Sequence, residues 1–186
     1  IGLNIDNRNN EIFPTRGMIW TNNFLYVAGM KKGSTDFSSV TSDMSLYASF
    51  TDPANLVLVL KAGGGHVFSK NYEYFQALNF GANNGLKSFR KNRYTGTSSF
   101  YSSIEMRIKL LEVNSYILPG PLGLMTFYDV GRVWLKNEKS RKWHSGIGGG
   151  FYFIPFNTFM ISASAGFSGN EKMLNFSLGA KVNIIY

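Results

Sequence analysis

The sequence predicts an all-β protein, a transmembrane antiparallel β-barrel with about 8 strands in this chain. Long segments alternate apolar with polar residues, and the less apolar face is mostly Ser, Asn, Gly, Thr and Tyr. Aromatic residues, 16% of the chain, cluster near the predicted strand ends, as rings do at a membrane–water interface. No apolar run approaches the roughly 20 residues that a membrane helix needs. These observations favour strands as the elements that cross the membrane.

Period-two alternation predicts the strands themselves. In MLNFSLGAKVNIIY, residues 173–186, the even positions are apolar and their odd neighbours are mostly small or polar. The same pattern recurs in three further segments, residues 42–51, 100–111 and 158–168. Other strands are predicted at residues 17–29, 55–68, 122–135 and 145–154. The chain is therefore a meander of eight strands, or nine if a short opening segment at residues 1–8 is counted.

The connections between the predicted strands alternate in length. Short turns are expected at residues 52–55, 112–121 and 155–157, and longer loops at residues 30–41, 69–99 and 136–144. Short turns on one side and long loops on the other are typical of an outer-membrane barrel. We expect one domain over residues 1–186, located in a bacterial outer membrane. A soluble β-sandwich is the alternative, but its water-facing side would be rich in Lys and Glu.

The net charge of +8 includes a basic segment, GLKSFRKNRYTG, residues 85–96. No acidic residue lies between Glu73 and Glu105. Aromatic residues interleave with the cations, as they do in proteins that bind single-stranded nucleic acid. A barrel loop does not normally meet nucleic acid, so no nucleic-acid partner is expected. Two interpretations remain: a solvated extracellular loop, or a loop docked inside the protein.

Residues that carry catalysis or bind cofactors show no convincing pattern. Cysteine is absent, which excludes disulfides and thiolate metal sites. The two histidines, His66 and His144, are far apart and lack ligand spacing. GIGGGF, residues 146–151, lacks the Lys-Ser/Thr that completes a phosphate-binding loop. We therefore expect no enzyme activity, no cofactor and no metal site.

Several local sequences, in order, resemble the carboxy-terminal barrel half of the Omp85 (BamA/TamA-like, surface antigen) family. DNRNNEIFPTRG, residues 6–17, resembles the family's Asp-x-Arg…Phe-Pro-Thr-x-Gly turn. The basic segment lies where the family carries Val/Leu-Arg-Gly-Phe/Tyr in its sixth extracellular loop. IEMRIKL and LMTFYDVGRVW, residues 104–110 and 124–134, are similar to two family strands. The terminal aromatic, Tyr186, resembles the family's β-signal.

The resemblance implies that the loop folds back into the barrel, where its motif cation pairs with an aspartate. By position these two residues are Lys87 and Asp129. The sequence departs from the family pattern at Lys87-Ser88, which replaces Arg-Gly, and lysine cannot supply a bidentate fork. Either the contact is weaker here, or Arg90 makes it. The resemblance implies a motif segment of Leu86, Lys87, Ser88, Phe89 and Arg90.

Strand parity independently predicts where Asp129 points. Phe127, Asp129 and Gly131 share one face of their strand. A carboxylate facing lipid would be costly, so Asp129 should face the lumen and needs a partner. Glu105 and Arg107 also share one face, and the resemblance favours a luminal charge network that includes them.

The resemblance also implies a function and leaves the closure of the barrel open. It implies insertion or translocation of polypeptide substrates in contact with the lipid bilayer, through a weak seam between the first and last strands. The alternatives are a non-catalytic anchor for a passenger enzyme domain absent from this chain, and a soluble basic β protein.

The chain resembles the last half of a barrel of about 16 strands. It is therefore a piece of a longer protein, or it closes alone, or two copies associate into one larger barrel. Closure alone would force residues 69–99 outward, because the interior of an eight-stranded barrel is just filled by side chains.

Overall fold

The computed structural model of the chain describes residues 1–30, 36–69, 73, 76–135, 142–169 and 171–180. Nine strands form one antiparallel sheet in the order β1-β2-β3-β4-β7-β8-β9-β10-β11, and a separate hairpin pairs β5 with β6. The strands are β1 (Gly2–Asp6), β2 (Gly17–Val27), β3 (Phe37–Ser49), β4 (Leu56–Val67), β5 (Leu78–Phe80), β6 (Tyr94–Gly96), β7 (Ser98–Val113), β8 (Gly120–Trp134), β9 (His144–Phe153), β10 (Phe159–Ser168) and β11 (Glu171–Ala180).

The all-β, antiparallel prediction is confirmed, but the count of about eight strands needs correction. The opening segment forms β1, which pairs with β2, so the sheet has nine strands. The expected loop at residues 69–99 contains β5 and β6. These are only three residues long, too short for alternation to reveal them. The predicted end of the last strand, including Tyr186, lies outside the described residues.

The two faces of the sheet differ as period-two alternation requires. One face, called here the outward face, carries exposed apolar side chains such as Ile104, Tyr128, Phe151 and Phe176. The opposite, inner face carries the intervening positions, many of them buried and small or polar, including Ser103. Within the described residues, apolar surface is thus presented outward and polar groups are enclosed, the reverse of a water-soluble sheet.

The inner face is covered at two places by segments that connect strands. At one end the turn between β1 and β2 brings Phe13 to Tyr152 of β9, with ring centroids 5.1 Å apart. Near the other end, residues of the loop between β4 and β7 form an apolar cluster with Tyr101 of β7. Phe80, Leu86 and Phe89 in this cluster are fully buried. The sheet therefore encloses part of its own connecting chain.

The edge strands of the sheet are β1 and β11, and each pairs with one neighbour among the described residues. Short 3-10 turns are formed at Ala82–Asn84 and Pro155–Asn157. Across the described ranges, no helix combines the length and the apolar character needed to cross a bilayer.

Candidate functional site

The candidate site is the loop between β4 and β7 where it lies on the inner face, and its centre is the motif segment, residues 86–90. Phe80, Leu86 and Phe89 anchor the loop in the apolar cluster with Tyr101. Phe80 contacts Phe89 edge-on at 5.5 Å between ring centroids. Burial of these side chains holds the intervening polar residues against the strands.

Asp129 of β8 is the buried acceptor for this loop. The carboxylate is fully buried and accepts the backbone N–H of Ser88 at 2.8 Å. It also accepts the hydroxyl of Ser103, the residue opposite it on β7, at 2.6 Å. Hydrogen bonds to an ionised acceptor are among the stronger ones in proteins, about 1.5–3 kcal/mol each. Asp129 thus joins the loop backbone to two strands.

The expected pairing of Asp129 with Lys87 or Arg90 is wrong. Lys87 Nζ instead lies 2.6 Å from Glu105 Oε2 and 3.2 Å from the Met125 sulfur. Arg90 is exposed. The physical reason is that the loop backbone approaches Asp129 directly at Ser88, and the adjacent side chain is directed towards β7. The Asp129 carboxylate therefore accepts hydrogen bonds from a main-chain N–H and the Ser103 hydroxyl rather than from a cationic side chain.

Glu105 and Arg107 lie next to each other on the inner face, with Arg107 Nε 2.5 Å from Glu105 Oε1. Because Lys87 binds the other oxygen, Glu105 bridges the loop and the strand. Lys87 also lies 5.6 Å from the centroid of the Phe127 ring, a cation–π distance. A single buried carboxylate is therefore flanked by two cations, which offsets the cost of removing it from water.

Glycines on β9 and β10 let the loop backbone approach the strands. A Cβ at Gly146 would lie 2.3 Å from Ser88 Cβ, and one at Gly166 would lie 2.7 Å from the Lys87 carbonyl oxygen. Gly131 likewise faces the Phe80 ring, 3.0 Å from an added Cβ. With a larger side chain at any of these positions, either the loop or the substituted strand residue would have to move.

The loop also bonds to the edge strand β11. The Asn175 side-chain amide donates to the Lys87 carbonyl oxygen at 2.6 Å. Nearer one end of the strand, Arg93 and Glu171 form an ion pair with N–O separations of 2.5 and 3.1 Å. The motif segment consequently contacts every strand from β7 to β11. In the described ranges no three His, Asp or Glu side chains converge as metal ligands would.

Comparison with known proteins identifies the family of the chain. The sequence model of the Omp85 superfamily domain matches residues 1–185. The chain belongs to the Omp85 superfamily. A search of curated proteins finds no match. Omp85 proteins are outer-membrane proteins, and the chain is therefore an outer-membrane, Omp85-like protein.

Two inner-face residues of this Omp85 chain escaped the sequence analysis. Lys61 of β4 reaches the loop, since a Cβ added at Gly85 would lie 2.5 Å from Lys61 Nζ. It lines a cavity of about 190 Å³ together with Lys87 and Glu105. Asp43 of β3 accepts the Tyr101 hydroxyl. Parity could have found Lys61, because it lies on the face of Val57 and Val59 within an otherwise apolar strand.

Proposed function

We propose that this chain forms part of the wall of a β-barrel in the bacterial outer membrane, and that the barrel inserts or translocates polypeptide substrates. The observation that carries the proposal is the motif segment bonded both to buried Asp129 and, through Asn175, to the edge strand β11. The loop can thereby couple the contents of the lumen to the strand at which a polypeptide would enter.

Membrane insertion follows from the two faces and the edges of the sheet. The outward face is apolar, and unpaired strand edges are not stable in lipid. We propose that further strands, from the same polypeptide or from a second copy, pair with β1 and β11. A wider barrel is favoured because the inner face already holds a loop with its own apolar cluster, and a barrel of about eight strands has room only for side chains.

In this mechanism the protein neither makes nor breaks covalent bonds. A polypeptide substrate offers unpaired backbone N–H and C=O groups, which a barrel edge can satisfy by strand pairing. In this proposal β11 is that edge, and the loop holds it through Asn175 and the Arg93–Glu171 ion pair. Undocking of the motif segment would therefore change the position of β11 and lower its ability to guide the substrate.

Reconstitution tests this function. The purified protein is placed in phospholipid vesicles, and the folding of an added, urea-unfolded outer-membrane barrel is followed by its resistance to protease. We expect faster insertion than into empty vesicles. Equal rates in protein-containing and empty vesicles, together with no ion conductance, would reject the proposal and favour a barrel that only anchors a passenger domain.

A further inference from the structure

A second site lies on the outward face of the sheet, away from the loop. On β4 the outward positions Ala62 and Gly64 carry almost no side chain, which leaves a trough along the strand. Its walls are Trp20 of β2 and Met44 of β3 on one side and Phe100 of β7 on the other. The trough has a volume of about 560 Å³, within the range of about 300–1,000 Å³ typical of small-molecule sites.

The lining of the trough is apolar except at defined points. The Trp20 indole N–H donates to Ser42 Oγ at 3.0 Å, so the polar edge of this ring is satisfied within the wall. His66, at the end of the trough near the loops, has Nδ1 2.7 Å from Ser98 Oγ. The trough thus has an apolar body and a polar end, the shape and polarity of a site for an amphiphile.

A basic and aromatic cluster adjoins that polar end. Phe100, the trough wall, pairs in register with Arg132 of β8. The Arg132 guanidinium carbon lies 4.9 Å from the Trp134 ring centroid and 5.9 Å from that of Trp143. Phe100 also contacts Trp143 edge-on at 6.1 Å. Tryptophan is enriched at membrane interfaces, and arginine there complements an anionic headgroup.

We propose that the trough binds one acyl chain of a phosphate-bearing membrane lipid, with the phosphate against Arg132. The chain lies over Ala62 and Gly64, and Trp20 and Phe100 flank it. The proposal rests on the proposed function only in so far as that function places the outward face in a bilayer. The occupant is a lipid because the site joins an open apolar trough to a cation held between two interfacial tryptophans.

Trp20 reports directly on the trough. A variant with Trp134→Phe and Trp143→Phe keeps aromatic rings beside Arg132 and leaves Trp20 as the sole tryptophan, since the chain has three. It is reconstituted in phosphatidylcholine vesicles to which one of two quenching lipids is added. These are phosphatidic acid and phosphatidylcholine, both brominated on the acyl chains. We expect half-quenching of Trp20 fluorescence at a concentration of brominated phosphatidic acid about fivefold lower than that of brominated phosphatidylcholine. This is the preference for an anionic lipid that one cation near the headgroup supplies.

Three variants complete the test. Ala62→Leu fills the trough and should abolish the preference, whereas Ala165→Leu, a matched change on the outward face of β10, should leave it intact. Arg132→Gln should make the two lipids equivalent while quenching persists. The proposal would be overturned if both lipids quench Trp20 equally in the protein with this sole tryptophan, or if Ala62→Leu leaves the preference unchanged. A dimer that shields Trp20 from both lipids would also overturn it. Failure of membrane insertion is distinguishable from a shielding dimer, because protein that has not inserted does not float with the vesicles in a density gradient. Failure of substrate insertion leaves the lipid preference unchanged.

Discussion

Replacement of Asp129 by alanine should release the motif segment from the inner face. The carboxylate accepts two hydrogen bonds, from Ser88 and Ser103, and such bonds contribute about 1.5–3 kcal/mol each. Only the Ser88 bond joins the loop to the strands, and removing the buried charge also recovers its desolvation cost, so the lower value for one bond applies and docking weakens by about 1.5 kcal/mol. Since about 1.4 kcal/mol is a factor of ten, the undocked population should rise about tenfold.

A single cysteine measures this population, because the chain contains none. Ser88 is fully buried, so a Ser88→Cys reporter should react with a maleimide only when the loop lifts. The labelling rate of the folded, reconstituted protein is compared with and without Asp129→Ala. Asp52→Asn, an exposed change in the turn between β3 and β4, is the control and should leave the rate unchanged. A rate for Asp129→Ala within twofold of the reporter alone would refute the assignment of Asp129 as the docking acceptor.

Two further changes test the packing and the charges around the motif segment. Gly146→Ala should increase labelling of the Ser88→Cys reporter at least about fivefold, since overpacking costs about 1–3 kcal/mol and about 1.4 kcal/mol is a factor of ten. Gly179→Ala, whose added Cβ meets nothing nearer than 4.0 Å, should leave the labelling rate unchanged, and equal effects of the two changes would contradict the close approach. Glu105→Gln should destabilise the folded protein by about 3 kcal/mol, because Lys87 and Arg107 lose their shared carboxylate. Thermal unfolding monitored by circular dichroism measures this loss. Glu112→Gln, in an exposed pair with Lys109, is its control and should cost less than about 1 kcal/mol; a similar loss in both variants would show that Glu105 has no special role.

Alternation in the sequence was sufficient to predict the faces of the strands. Asp129 lies on the inner face with Phe127 and Gly131, since side-chain direction in a strand depends only on parity. The same rule could have placed Lys61, but an isolated lysine in an apolar run carries no indication of its partner. Sequence patterns therefore predict which way a strand residue points better than what it contacts.

The chemistry of the loop could not be predicted from the sequence. The donor to Asp129 is the main-chain N–H of Ser88, and a backbone donor has no signature in residue type. The hairpin of β5 and β6 that shapes the loop has strands of three residues, too short for a periodic pattern. The contact of Asn175 with the Lys87 carbonyl oxygen joins residues 88 positions apart, and a contact of this sequence separation leaves no local pattern in the sequence.

The central claim is that the motif segment, docked on Asp129 and bonded to β11, supports insertion of polypeptide substrates. The most direct measurement is the rate at which an unfolded outer-membrane barrel inserts into vesicles that contain the parent protein, the Asp129→Ala variant or the Asp52→Asn control. The account predicts that the insertion rate with Asp129→Ala, whose undocked loop is detected by maleimide labelling, falls towards the rate of empty vesicles. The rate with the Asp52→Asn control should match that of the parent protein. An undocked loop with an unchanged insertion rate would contradict it.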